Sequence, residues 1–368
     1  MTDSRLFKPV KLGNITLKNR IAMAPLTRFR ADDNHVQLPF VPEYYAQRAS
    51  VPGTLLITEA TFIDQQYGGY ANVPGIYTDD QTHAWKGVTK KVHEKGSFIF
   101  LQLWALGRVA DPKQAAKEGI TIRSSSPEKF ADGYATPEPM TIEQIKETVN
   151  AYAQAAKNAI AAGFDGVEIH GANGYLIDQF TQDTVNKRTD EYGGSVENRS
   201  RFAVEVAKAV VDAVGAERTG IRLSPWSTFQ GMRMKDPISQ FSDLIKKLNE
   251  LNLAYLHFVE SRVSGNADVE SSDSLNFAYP LFRGPILVAG GFTPDSAKRL
   301  VDEEHPERDV IVVFGRYFIS TPDLVYRVKK GIELTNYDRG SFYLPKSEKG
   351  YIDYPFSTEF QAEQAKVA

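Results

Sequence analysis

Thr141-Ile142-Glu143-Gln144 opens an alanine-rich run that closes at Ala161-Ala162-Gly163, and a short apolar stretch, Gly166-Val167-Glu168-Ile169, follows at once. The Thr-x-x-Gln spacing is a capping box, in which hydroxyl and amide satisfy each other's backbone N–H groups at a helix start. The apolar stretch after the glycine is too short for a helix and reads as a buried strand. A helix followed directly by such a strand is one unit of a parallel α/β sheet.

Working outward, the same alternation runs from about residue 20 to about residue 331. Strands are expected at Arg20–Ala24, Thr54–Glu59, Ser97–Leu103, Gly166–Ile169, Gly220–Ser224, Tyr255–Val259, Ile286–Ala289 and Val310–Phe314. Pro294 and Pro322 stand where first helical turns should begin. Eight such units close a barrel, so the expected fold is α/β, a single (β/α)8 TIM barrel occupying residues 1–368 with its core at about 20–331. Length alone does not distinguish this from two ordinary domains. Leu12–Leu17 reads as a hairpin plugging the barrel's bottom. Two stretches break the pattern. Ala105–Met140, after the third strand, has the length of a lid or binding loop. The aromatic tail, 335–368, is expected to pack near the active site.

Composition narrows the function. A 368-residue chain that is 42% hydrophobic can bury a large core, and a net charge of -3 offers no basic field to nucleic acid or an anionic membrane. The absence of cysteine excludes disulfides, thiolate metal sites and a cysteine nucleophile. No two histidines have helical metal spacing, and no HExxH, Gly-x-Ser-x-Gly or P-loop motif occurs, so no metal is expected. Met1 to Asn14 lacks a secretory signal, and no apolar run approaches the roughly 18 residues of a membrane span. A cytoplasmic location is expected.

Loops at the carboxyl ends of barrel strands build active sites. Here those ends hold Pro25-Leu26-Thr27-Arg28, then Gln102 and Trp104, then His170-Gly171-Ala172-Asn173-Gly174-Tyr175, and Arg222 in the fifth strand. The last two strands end in Gly290-Gly291 and Gly315-Arg316, where backbone N–H groups can approach a phosphate; each glycine alone is also an ordinary turn signal. A guanidinium inside an apolar strand needs a partner: either Glu168 on the neighbouring strand or a cofactor that becomes negative during turnover. His170 and Asn173 are two donors able to grip one oxygen, and the Tyr175 phenol can protonate a carbanion-like centre. Singly, His170 also suits a satisfied core histidine and Tyr175 a packing aromatic. His35, His83, His93 and His305 read as solvated, His257 as packed within its strand.

These residues resemble the old yellow enzyme family along nearly the whole chain. The likeness rests on Asn19-Arg20 with Met23-x-Pro25-Leu26-Thr27-Arg28, on Gln102-Leu103-Trp104, and on Gly166-Val167-Glu168-Ile169-His170 with Asn173-Gly174-Tyr175. Arg188-Thr189-Asp190-Glu191-Tyr192-Gly193-Gly194-Ser195, Glu197-Asn198-Arg199, Phe314-Gly315-Arg316 and Gly350-Tyr351-Ile352-Asp353-Tyr354-Pro355 extend it. The resemblance implies an ene-reductase that binds FMN noncovalently, is reduced by NADPH or NADH, and is reoxidised by a small activated alkene carrying a carbonyl or nitro group. It implies that Thr27 bonds the flavin O4, Gln102 the pyrimidine edge, and Arg222 the N1 and O2 side. Gly291, Gly315 and Arg316 would hold the phosphate, with Pro25, Ala60 and Gly290 bordering the same cofactor. His170 and Asn173 would bind the substrate oxygen, hydride from N5 would reach the β carbon, and Tyr175 would protonate the α carbon from the opposite face. Trp104, Phe342 and Tyr343 would shape the pocket. A monomer or homodimer is implied, and a flavin-binding sensor or scaffold is the alternative. Departures are few: Ala60 replaces a frequent glycine, Gly291 an occasional asparagine, and Gly171 an occasional serine. Some relatives lack the tyrosine and isomerise or only partly reduce their substrate, so Tyr175 favours full reduction.

Overall fold

The computed structural model describes residues 3–264, 267–268 and 273–366, so residues 1–2, 265–266, 269–272 and 367–368 of the expected span lie outside the described residues. Eight parallel strands close on themselves: β1 (Ile21–Met23), β2 (Leu55–Phe62), β3 (Phe98–Trp104), β4 (Gly166–His170), β5 (Thr219–Leu223), β6 (Tyr255–Val259), β7 (Ile286–Ala289) and β8 (Val310–Phe314). Val312 of β8 pairs with Ile21 of β1 and shuts the barrel. β7 and β8 are continuous Ile/Leu/Val runs because both their faces are buried, one against the barrel interior and one against helices.

The capping box forms as read. Gln144 donates its backbone N–H to the Thr141 hydroxyl at 3.2 Å, and its side-chain oxygen accepts the Thr141 N–H at 2.9 Å, starting the helix Ile142–Ala161. Pro294 opens the helix Pro294–Arg299, whereas Pro322 precedes the helix Leu324–Lys330, whose cap is Asp323. β2 runs past its expected end because it bulges between Ile57 and Ala60. The Thr58 hydroxyl takes the Gln102 N–H at 3.0 Å in place of a ladder carbonyl, and the extra residue re-aims the strand so that Ala60 pairs with Gln102.

The barrel interior has two storeys. Below, the hairpin strands Val10–Leu12 and Ile15–Leu17 push Leu12 and Leu17 against Leu55, Phe100, Leu287 and Ile311, which forms the expected plug. Each such side chain contributes roughly 1.5–3 kcal/mol by leaving water. Above, the interior turns polar, with Gln102, Glu168, Arg222 and His257 all buried. Gly220 is needed at the boundary: a Cβ there would sit 2.4 Å from the Tyr255 ring, which lies across β5.

Two expectations change. The stretch 105–140 does not line the barrel-mouth cavity; it folds into the helix Pro112–Glu118 and a short pairing of Arg123–Ser124 with Glu138–Pro139. It braces the site from behind, where Arg108 donates to the Gln230 carbonyl at 2.9 Å. His35, read as solvated, is buried against the Val73 carbonyl at 2.6 Å and Glu118 at 3.2 Å.

The carboxyl-terminal tail is tied down by buried arginines. Arg28 donates to the carbonyls of Phe342 (3.0 Å) and Gly350 (2.7 Å). Arg30 reaches those of Ser341, Phe342, Ser347 and Lys349 at 2.8–3.1 Å. Arg48 joins Tyr351 to Phe318 in the same way. Among the described residues no helix is long and apolar enough to cross a membrane.

Candidate active site

At the carboxyl ends of the strands lies a cavity of about 750 Å³, within the range of small-molecule sites. Its first wall is made by a sharp turn after β4. Asn173 and Gly174 both adopt left-handed backbone, with φ of 59° and 76°. Asparagine tolerates that region, and position 174 admits only glycine, because a Cβ would come within 2.8 Å of the Gln230 Cβ. The turn is pinned by Asn173 N–H to Ser224 Oγ (2.7 Å) and Gly174 N–H to Asp178 (2.9 Å). Burial pushes the Asp178 carboxyl up to about 7.

The chain therefore folds back and sets Tyr175 beside His170, ring centroids 5.0 Å apart, and edge-on to Trp104 at 4.8 Å. His170, Asn173, Tyr175 and Trp104 all face the cavity. Burial, reinforced by the charge of Arg222, holds the His170 pKa well below the ordinary range, so its ring is neutral. Its Nδ1 accepts the Ala172 N–H at 3.4 Å, which leaves the proton on Nε2, ready to donate. Burial raises the Tyr175 pKa, an effect that Gln230 beside it opposes, and the phenol keeps its proton. The Asn173 amide makes no hydrogen bond among the described residues.

Arg222 stands in β5 directly between His170 of β4 and His257 of β6. Its Nε is buried without a hydrogen-bond partner, and no ion pair to Glu168 forms within 4 Å. Glu168, the protein partner expected for Arg222, forms no salt bridge with it and instead accepts from Gln102 Nε2 (2.8 Å), Tyr255 Oη (3.1 Å) and His257 Nδ1 (2.8 Å). With its Nε2 so engaged, Gln102 presents its carbonyl oxygen to the cavity it lines.

Pro25, Thr27 and Ala60 form the adjoining wall, and Phe342 and Tyr343 of the tail the outer one. Gly290, Gly291, Gly315 and Arg316 line the far end. At Gly315 a Cβ would make only ordinary contacts, the nearest at 3.5 Å, so the backbone is uncrowded there. Gly291 is left-handed, φ 63°. Gly290 is small for another reason: a Cβ would strike the Glu260 side chain at 2.5 Å. Arg316 is already paired with Asp268, at 2.8 and 2.5 Å.

Sequence reasoning missed Phe29, Tyr70, Phe229 and Tyr337, which also line the cavity. Phe29 directly follows the Thr27-Arg28 motif and could have been found there; Tyr70 lies in a turn with no periodicity. The Arg188–Arg199 motif is elsewhere, a knot in which Arg188 pairs with Asp190 and Asn198 bonds the Gly193 carbonyl.

A cation on the cavity wall beside a neutral imidazole and a protonated phenol defines the molecule as a barrel protein with a site for an anionic ligand at its mouth. The chain belongs to the NADH:flavin oxidoreductase / NADH oxidase family, whose family model matches residues 5–335. It is 58% identical over 361 residues to chanoclavine-I aldehyde reductase FgaOx3 of Penicillium roqueforti, across 97% of this chain and 98% of that protein. The probable inactive dehydrogenase EasA of Claviceps purpurea is 50% identical over 379 residues, each chain covered in full. The old yellow enzyme of Pichia sp. AKU4542 superposes with a TM-score of 0.91 at 42% identity, covering 97% of this chain and 95% of that one. FMN, the family's cofactor, fits this cavity: the Arg222 guanidinium, the free Gln102 carbonyl and the uncrowded backbone at Gly315 all line it, and an anionic flavin would satisfy them.

Proposed function

We propose that this protein is an ene-reductase acting on small alkenes activated by a carbonyl or nitro group. The observation that carries the reading is the meeting of His170 Nε2–H, the Asn173 amide and the Tyr175 hydroxyl on one cavity with Arg222. Thr27, Gln102 and Arg222 would hold the flavin ring of FMN, bordered by Pro25 and Ala60, with Gly290, Gly291, Gly315 and Arg316 around its phosphate. Bound there, FMN would accept hydride from NADPH, or NADH, and pass it to the β carbon.

The protein's own contribution is polarisation and a proton. His170 and Asn173 donate to the substrate oxygen, drawing electron density from the double bond; two preorganised donors in a water-poor cavity act more strongly than they would in water. Because His170 is neutral, it donates one hydrogen bond without carrying charge toward Arg222. Tyr175 gives its proton to the α carbon. Its raised pKa matters little, since a carbon conjugate base is far more basic than phenolate. Hydride and proton arrive on opposite faces, giving net anti addition. Trp104, Phe342 and Tyr343 select substrate shape. The relative named as an aldehyde reductase supports an aldehyde as the activating carbonyl group.

Tyr175→Phe tests the reading. Anaerobic NADPH should bleach variant and wild type alike, while reoxidation by cyclohexenone should slow by about 10²–10⁴-fold in the variant. Equal reoxidation rates would remove Tyr175 from its role. Wild-type flavin that no activated alkene reoxidises would favour a flavin-binding protein, a reading the relative described as inactive keeps in view.

A further inference from the structure

Below the cavity, Glu168 is sealed inside the barrel with no exposed surface. Three donors from two other strands converge on it: Gln102 from β3, and Tyr255 and His257 from β6 beside the β5 gap that Gly220 opens. The His257 Nε2 has no hydrogen-bond partner, so the ring meets Glu168 through Nδ1 alone. Burial alone would protonate Glu168; His257, Arg222 and the Gln102 amide together overcome it, so the carboxylate stays charged. Glu168 pairs with Gly220, one side-chain layer beneath Arg222 on the same inner face. It is thus near Arg222 without touching it.

We infer that Glu168 is a positioning residue for the cofactor site: it fixes which end of the Gln102 amide faces the cavity, and its charge sets how strongly Arg222 favours the reduced flavin. The first role follows from donor chemistry. A carboxylate can only accept, so it binds Nε2 and turns Oε1 upward, the acceptor a ring N–H needs. The second follows from charge. Arg222 stabilises the negative charge that the flavin gains on reduction, and an anion one layer below weakens that pull. Neither role depends on the ene-reductase reading, only on FMN binding.

Glu168→Gln keeps the shape and removes the charge. In the FMN-loaded protein, titrated reductively against a reference dye with no alkene or nicotinamide present, the reduced form should gain about tenfold over the oxidised form, a rise of about 30 mV for a two-electron couple. Oxidised FMN should also bind more weakly, because Gln102 is released to rotate. Glu168→Asp, which retains the charge, should hold the wild-type potential. An unchanged potential in Glu168→Gln, or equal shifts in both variants, would overturn the assignment. Should Glu168→Gln fail to fold, the wild type supplies the reading: flavin reduction should move a carboxylate band in the infrared difference spectrum, and a spectrum without one would refute the coupling. Loss of enone reduction with these results intact would count against the proposed function alone.

Discussion

Two groups of buried arginines in this molecule are handled in opposite ways. Arg28, Arg30 and Arg48 are saturated by carbonyl oxygens of the tail and its neighbours. Burial, with Arg28 beside it, brings the Arg30 guanidinium down to about 10, and burial does the same to Arg48, so both remain charged near neutrality. Arg222, slightly more exposed, lines a cavity, keeps a buried Nε without a partner and has no carboxylate within 4 Å. A cation whose donors are all met by fixed backbone is part of the scaffold. One left short of acceptors beside open space is held for a ligand.

That contrast can be broken by measuring folding and cofactor binding separately. The largest effect should come from Arg30→Met, which strands several tail carbonyls: about 3–5 kcal/mol lost in denaturant unfolding of the cofactor-free protein. Stability equal to wild type would erase the distinction. Arg222→Met should behave conversely, with cofactor-free stability close to wild type, since no hydrogen bond of the fold is lost. FMN affinity should fall by about 10–150-fold, the worth of a hydrogen bond to a charged group. A parallel loss of stability would return Arg222 to the scaffold.

A smaller effect sharpens the picture at His170. Its pKa is depressed, so the ring is neutral above that value; at pH 6 it should remain neutral by NMR, where an ordinary histidine of pKa about 6.5 is mostly protonated. In Arg222→Met the pKa should rise, burial alone still keeping it below ordinary, and an unmoved titration would show that the two groups do not sense each other. The smallest effect concerns Arg316, which is shared between Asp268 and the expected phosphate. Asp268→Asn should tighten FMN binding by at most about fivefold, because the exposed pair is worth no more than about 1 kcal/mol. Weaker binding would mean that Asp268 presets the arginine for its ligand.

Local rules carried much of this architecture into the sequence. Capping boxes, glycine stops and β-branched runs depend on neighbours in the chain, so the strands of the barrel, the hairpin plug and the His170–Tyr175 turn could be read directly. What could not be read depends on encounters between distant segments. The bulge that aligns Ala60 with Gln102 exists because a threonine hydroxyl replaces a carbonyl. The burial of His35 depends on Glu118, 83 residues away. Glu168 was visible as a possible partner for Arg222, yet its three donors come from strands whose inward-facing residues only the closed barrel brings together. The stretch 105–140 was misjudged because length marks a loop as unusual without saying which side of the wall it occupies.

The grip on the tail has an evolutionary corollary. Arginine forks that fasten onto peptide oxygens recognise the route of a chain and are indifferent to its lettering. Residues such as Tyr343 can therefore be exchanged while the segment stays on its track, so substrate preference can drift among descendants of one scaffold without renegotiating how that scaffold folds.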